Sequence, residues 1–171
     1  GAGKPQGRVG APAAAAGRVV QSFTSTHGPV EKMRRLFYQA IEHEDVAILS
    51  IATRPDCLPD EVLALLSKLS NRYPDKFIWV ELGLQTIHQP TADYIRRGYA
   101  LPCFEEAFRA LSAIGIPVIV HVILGLPGET PEMVLQTIDY LNAMKPFGIK
   151  LQLLHILENT DLACDYLAGA F

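Results

Sequence analysis

Apolar residues along this chain alternate between solid runs and one-sided helical spacing. The segments 46–52, 77–84 and 117–124 are continuous runs rich in β-branched and other apolar residues, the pattern of strands covered on both faces. The segment 149–156 is a further run of this kind, and 19–24 a shorter strand. Between the runs, apolar positions return every three or four residues. Met33, Leu36, Phe37, Ala40 and Ile41 mark a helix over 31–43, and Val62, Leu65, Leu66 and Leu69 one over 59–73. Phe104, Ala107, Phe108 and Leu111 mark a helix over 103–114 that Gly115 stops. Thr130 followed by Pro131 is a helix start, a hydroxyl able to accept a main-chain N–H and then a ring with φ already near helical, for a helix running to Met144. Short helices are expected over 91–97 and 161–168. Strand and helix therefore alternate, so the fold class is α/β with a parallel sheet. Five strands are too few for a closed eight-stranded barrel, and a partial (β/α) barrel is the expected form.

In such folds ligands bind at the carboxyl ends of the strands. Polar residues cluster in just those positions. Thr53-Arg54-Pro55-Asp56 follows one strand, Glu81 and Gln85 lie on the next, His121 and then Gly125-Leu126-Pro127-Gly128-Glu129 on the next, and His155 on the last. Residues two apart share a face of a strand, so Glu81, Gly83 and Gln85 point the same way if the strand reaches Gln85. Buried unpaired, such groups cost several kcal/mol each (about 2–7 for an uncompensated polar group), so they line a wet or ligand-filled cavity. Each also has a plainer reading. Glu81 satisfies a neighbouring loop amide or pairs with Arg54, His121 is a hydrogen-bonded core residue, Arg96 and Arg97 form a solvated face, and Asp56 caps a turn. Co-location at one end of the sheet favours the functional reading.

Composition narrows the class. Residues 1–18 are a Gly/Ala-rich leader with too little apolar surface to offset the entropy of ordering, which sets the folded domain at 19–171. The whole chain has 171 residues, 49% of them hydrophobic and 19% charged, which excludes wholly disordered and collagen-like classes. Its net charge of −3 gives no global attraction for nucleic acid. No uncharged apolar run reaches the roughly 18 residues of a membrane span, and the default compartment is the cytoplasm. The three cysteines, Cys57, Cys103 and Cys164, are far apart, odd in number and without a CxxC pair, which argues against a disulfide framework or a metal clip.

The strand-end segments TRPDCL, VELGLQT with Arg97 after it, HVILGLPGET and LLHILENTDLA, in this order, resemble a radical S-adenosylmethionine (radical-SAM) family. The resemblance runs from about Gln21 to Ala168 and is to a bacterial branch related to the radical-SAM domain of the elongator catalytic subunit. It implies a partial (β/α) barrel in which a 4Fe-4S cluster and S-adenosylmethionine bind together, the cluster cleaving the cofactor reductively to a 5′-deoxyadenosyl radical. By motif position it implies cofactor contacts from Arg54, Glu81, Gln85, Arg97, His121 and Gly125, the last where the backbone passes close to the adenine. Relatives often read His where this chain has Tyr99, so a histidine contact does not carry over. The family holds its cluster with a CxxxCxxC triplet that this sequence lacks, and the matching strand and loop would lie upstream of Val19. The expectation is therefore an N-terminally truncated barrel, lacking its first strand and cluster loop and inactive alone, whose substrate is RNA only by analogy. An open sheet edge would favour association. Two alternatives compete: a non-catalytic module binding S-adenosylmethionine or a partner, and a metal-dependent hydrolase using His121, His155, Asp56 and Glu81.

Overall fold

The structure, a computed structural model, describes residues 16–20 and 25–171. Within them lie β1 (Ala16–Val20), α1 (Val30–Ile41), β2 (Val46–Thr53), α2 (Asp60–Arg72), β3 (Phe77–Gln85), α3 (Gln89–Tyr94), α4 (Leu101–Ala113), β4 (Val118–Leu124), α5 (Pro131–Met144), β5 (Gly148–Leu153) and α6 (Asp161–Leu167). The five strands pair in the order β1-β2-β3-β4-β5, every neighbour parallel. Consecutive parallel strands joined by helices are the winding of a barrel, left open at β1 and β5 among the described residues. The expected leader falls mostly on residues 1–15, which lie outside the described residues, as do 21–24 of the strand expected over 19–24; β1 begins at Ala16.

Alternation along each strand sorts the side chains into two faces. Leu49 and Ile51, Val80 and Leu82, and Val120 and Val122 pack in one cluster with Phe37 of α1, Leu65 and Leu66 of α2, Phe104 and Leu111 of α4 and Leu141 of α5. Each fully buried side chain of this size contributes about 1.5–3 kcal/mol. The alternate positions, Ser50, Glu81, Gly83, His121 and Lys150, form the inner face opposite the helices. Their register places Ala52 beside Glu81, Gly83 beside His121, and His121 beside Lys150.

Two further elements differ from the pattern. The helix expected over 91–97 spans Gln89–Tyr94, because Arg96 (φ 54°) and Gly98 (φ 86°) turn left-handed and end it. The last strand stops at Leu153. Leu154 N–H donates to the carbonyl of Leu124, the final residue of β4, so the chain beyond has no neighbouring strand to pair with and His155 is exposed. On the β5 edge, Leu151 (55%) and Leu153 (68%) are exposed. Thr130 caps α5 as expected, accepting from Met133 N–H. No helix among the described residues is long and apolar enough to cross a membrane.

Candidate cofactor-binding cleft

At the carboxyl ends of β2 and β3 lies a cleft of about 490 Å³, lined among others by Arg54, Gln85, Arg97, Tyr99, Ile123 and Asp161. Gln85 ends β3 across a register shift and takes a left-handed backbone (φ 69°), which re-aims its side chain. Gly83 makes room for it: a Cβ there would come within 3.0 Å of Gln85 Nε2 and 3.1 Å of the Tyr99 hydroxyl. Arg97 is only 6% exposed. Its Nη1 donates to the carbonyls of Leu84 (2.9 Å) and Thr86 (2.7 Å), and its Nε to that of Tyr99 (3.0 Å). Tyr99 ties the site together. Its hydroxyl donates to the Gly83 carbonyl at 3.0 Å, and its ring lies 4.9 Å from the Arg97 guanidinium and 5.4 Å from that of Arg54. Burial pushes the Tyr99 pKa up to about 12, so the ring stays neutral beside two cations. Arg54 is fixed from its other side by Asp56, donating through Nε (2.9 Å) and Nη2 (2.7 Å).

Two buried atoms in this wall have no partner: Gln85 Oε1, an acceptor, and Arg97 Nη2, a donor. Among the described residues Arg97 also forms no ion pair, although burial disfavours its charge and pushes its pKa down. Leaving such groups unsatisfied costs about 1–3 kcal/mol each, more for a charge. A cleft walled by an unpartnered cationic donor and an unpartnered acceptor suits a ligand carrying both a carboxylate or hydroxyl and a hydrogen-bond donor. Gly125 lies in the turn after β4 with φ 80°, and a Cβ there would meet nothing within 4 Å, so its left-handed backbone, rather than crowding by the protein, calls for glycine. Glu129 of the same turn accepts from the Thr86 hydroxyl.

Glu81 and His121 do not line the cleft. Glu81, four residues before Gln85 on β3, is 6% exposed and central to an inner-face network. It accepts from Ser50 Oγ (2.7 Å), His121 Nε2 (2.7 Å) and Lys150 Nζ (2.9 Å), and Trp79 Nε1 donates to Ser50 Oγ at 2.6 Å. Burial alone would raise its pKa, but the hydrogen bonds from Ser50, Lys150 and His121 outweigh it and hold the carboxyl down to about 2. The pairing of Glu81 with Arg54 is thus corrected: Lys150, brought across from β5, is its cation. The solvated face expected for Arg96 and Arg97 holds for Arg96, exposed and paired with Asp161 at 2.6 Å, and fails for buried Arg97. Sequence reasoning missed Lys150 and Ser50 and left Tyr99 open. Period-two alternation along β5 and the RGY segment were the available signals.

The residues of the metal-hydrolase alternative are not assembled. Asp56 holds Arg54, His155 is exposed, and no group of three or more His, Cys, Asp or Glu among the described residues is placed to hold a metal. Cys57 and Cys103 are partly buried, with thiol pKa values raised mainly by burial, and Cys164 is exposed.

The sequence matches the radical SAM superfamily over residues 21–141. It is 43% identical over 149 residues to the protein YtqA of Bacillus subtilis, covering 87% of this chain and 45% of YtqA, so the chain spans about half that relative's length. A tRNA uridine(34) acetyltransferase of Methanocaldococcus jannaschii is 31% identical over 128 residues, covering 72% of this chain and 22% of that protein. In structure, the archaeal Elp3 of Methanocaldococcus infernus, with its N-terminus deleted, superposes with a TM-score of 0.73 at 21% identity, covering 90% of this chain and 40% of Elp3. The open α/β barrel is thus shared with Elp3, and the chain belongs to the radical SAM superfamily.

Proposed function

We propose that the cleft between β2, β3 and α6 binds S-adenosylmethionine. The observation that carries this reading is the pair of buried, unpartnered atoms, Gln85 Oε1 and Arg97 Nη2, on its wall. Arg97 Nη2 would donate to a carboxylate or hydroxyl oxygen of the methionine or ribose part, and Gln85 Oε1 would accept from an ammonium or hydroxyl. Tyr99 and Asp56 hold the two guanidiniums in place, and Gly125 keeps the turn after β4 clear of side chain. In the intact family S-adenosylmethionine supplies radical chemistry.

The cluster does not fit this chain's residues. Its iron needs thiolate ligands, and Cys57, Cys103 and Cys164 offer no CxxxCxxC set. The function proposed for this chain is therefore to hold the cofactor, with reductive cleavage assigned to the intact enzyme. RNA is the substrate class proposed by analogy with the relative named as a tRNA uridine(34) acetyltransferase, and the cytoplasm is the proposed compartment. The open β5 edge, flanked by exposed Leu151 and Leu153, is the proposed association surface. Calorimetric titration of the purified chain with S-adenosylmethionine tests the central reading. Saturable binding that weakens about tenfold or more in Arg97→Ala and Gln85→Ala is expected; equal affinity in wild type and both variants overturns it.

A further inference from the structure

The inner-face network lies apart from the cofactor cleft and has one unused atom. An ionised carboxylate only accepts hydrogen bonds, so the 2.7 Å contact between Glu81 Oε2 and His121 fixes the proton on Nε2. Nδ1 is then a bare lone pair. It has no hydrogen-bond partner among the described residues, and the His121 side chain keeps 13% of its surface exposed. It belongs to a side chain on the inner face of β4, between Gly83 of β3 and Lys150 of β5, the two residues its register sets beside it.

The charges around it keep the ring neutral. Glu81 from β3 and Lys150 from β5 are the charged groups that face it, and Lys150 Nζ, 2.9 Å from Glu81 Oε2, supplies the positive charge the carboxylate needs. His121 need not become a cation to balance Glu81. Burial, the largest influence, and the charge of Lys150 push its pKa below the ordinary value, against the pull of Glu81. Ser50 Oγ donates to the other carboxylate oxygen and is itself held by Trp79 Nε1, so Glu81 is fixed on both sides.

We propose that Glu81 and His121 form a carboxylate–imidazole pair that presents His121 Nδ1 to the barrel interior as a proton-transfer site, serving a substrate that offers an acidic N–H or O–H. Nδ1 would take the proton and leave the electron pair on the substrate nitrogen or oxygen. The resulting imidazolium is stabilised by Glu81 through Nε2–H, and the proton returns to product or to water. Glu81 is the positioning residue, setting the tautomer and orienting the ring. The assignment is independent of cofactor binding in the cleft.

Nitrogen NMR of the full chain labelled at histidine side chains, with peptide mapping after treatment with diethyl pyrocarbonate, tests it. Expected at pH 7 is a neutral His121 ring in the Nε2–H tautomer, carbethoxylated in the folded protein at a rate that falls as pH drops through its own midpoint. Lys150→Gln, which leaves Glu81 unbalanced, should raise that midpoint by about 1 pH unit. A purely structural ion pair gives the opposite signature. A His121 that is an imidazolium at pH 7, or is inert to the reagent until the chain unfolds, overturns the proposal.

Discussion

The cleft wall and the inner-face network are built on the same strand, four residues apart, and are satisfied to opposite degrees. Both oxygens of Glu81 accept hydrogen bonds, and its charge is balanced by Lys150 at 2.9 Å. Gln85 and Arg97 are held just as firmly, yet each keeps one buried polar atom without a partner. Satisfied polar groups in a buried face hold a sheet together. Groups fixed in place but left unpaired are, under the proposed function, the ones a bound ligand would satisfy. Substitutions should therefore act on stability in the network and on ligand affinity in the cleft.

The largest effect is expected from Glu81→Ala. It leaves Lys150, His121 and Ser50 without their shared acceptor, and breaking a buried pair from one side costs about 3–5 kcal/mol. Lys150 keeps access to water, its side chain 38% exposed, so the lower end, about 3 kcal/mol by urea unfolding at pH 7, is expected. A wild-type midpoint in this variant would show that the network does not hold the sheet.

Gln85→Gly sharpens the contrast, because stability and binding should move in opposite directions. Glycine relieves the left-handed backbone at φ 69°, for a gain of about 1 kcal/mol, while loss of Oε1 weakens S-adenosylmethionine binding about tenfold. Parallel melting and calorimetry read both, and a loss of stability with unchanged affinity would reverse the roles assigned to the two regions.

The network also predicts a pH response. The folded pKa of Glu81, about 2, lies below its ordinary 4.5, so the unfolded chain binds its proton first as pH falls. This stabilisation is complete above pH 4.5 and is lost as pH drops from there toward 2. Glu81→Gln should flatten the urea-unfolding free energy across that window relative to wild type. The smallest effect belongs to the cleft rim, where the Arg96–Asp161 pair is exposed by 78% and 74%. Arg96→Ala should change stability by no more than about 0.5 kcal/mol, and about 0.5 M salt (roughly three times physiological ionic strength) should erase even that.

How far each region was legible in the sequence follows the same divide. Period-two alternation placed Glu81 and Gly83 on one face but does not carry across the register shift to Gln85, and Thr130-Pro131 marked the start of α5 correctly, because strand pleat and helix capping are local. The partner of Glu81 was not legible. Lys150 reaches it only through the β3-β4-β5 register, which no local pattern records. Tyr99 reads in sequence as an odd residue after Arg97-Gly98, and its bridging of Arg54, Arg97 and Gly83 exists only once β2, β3 and the segment after α3 converge. The strand expected to reach His155 stopped early because β4 ends at Leu124 and offers nothing further to pair with.

A crystal structure of the chain with S-adenosylmethionine tests the central claim most directly. The account predicts ligand atoms within hydrogen-bond distance of both Arg97 Nη2 and Gln85 Oε1, with the Glu81 network unchanged. A ligand bound elsewhere, or in the cleft with both atoms still unpartnered, would contradict it.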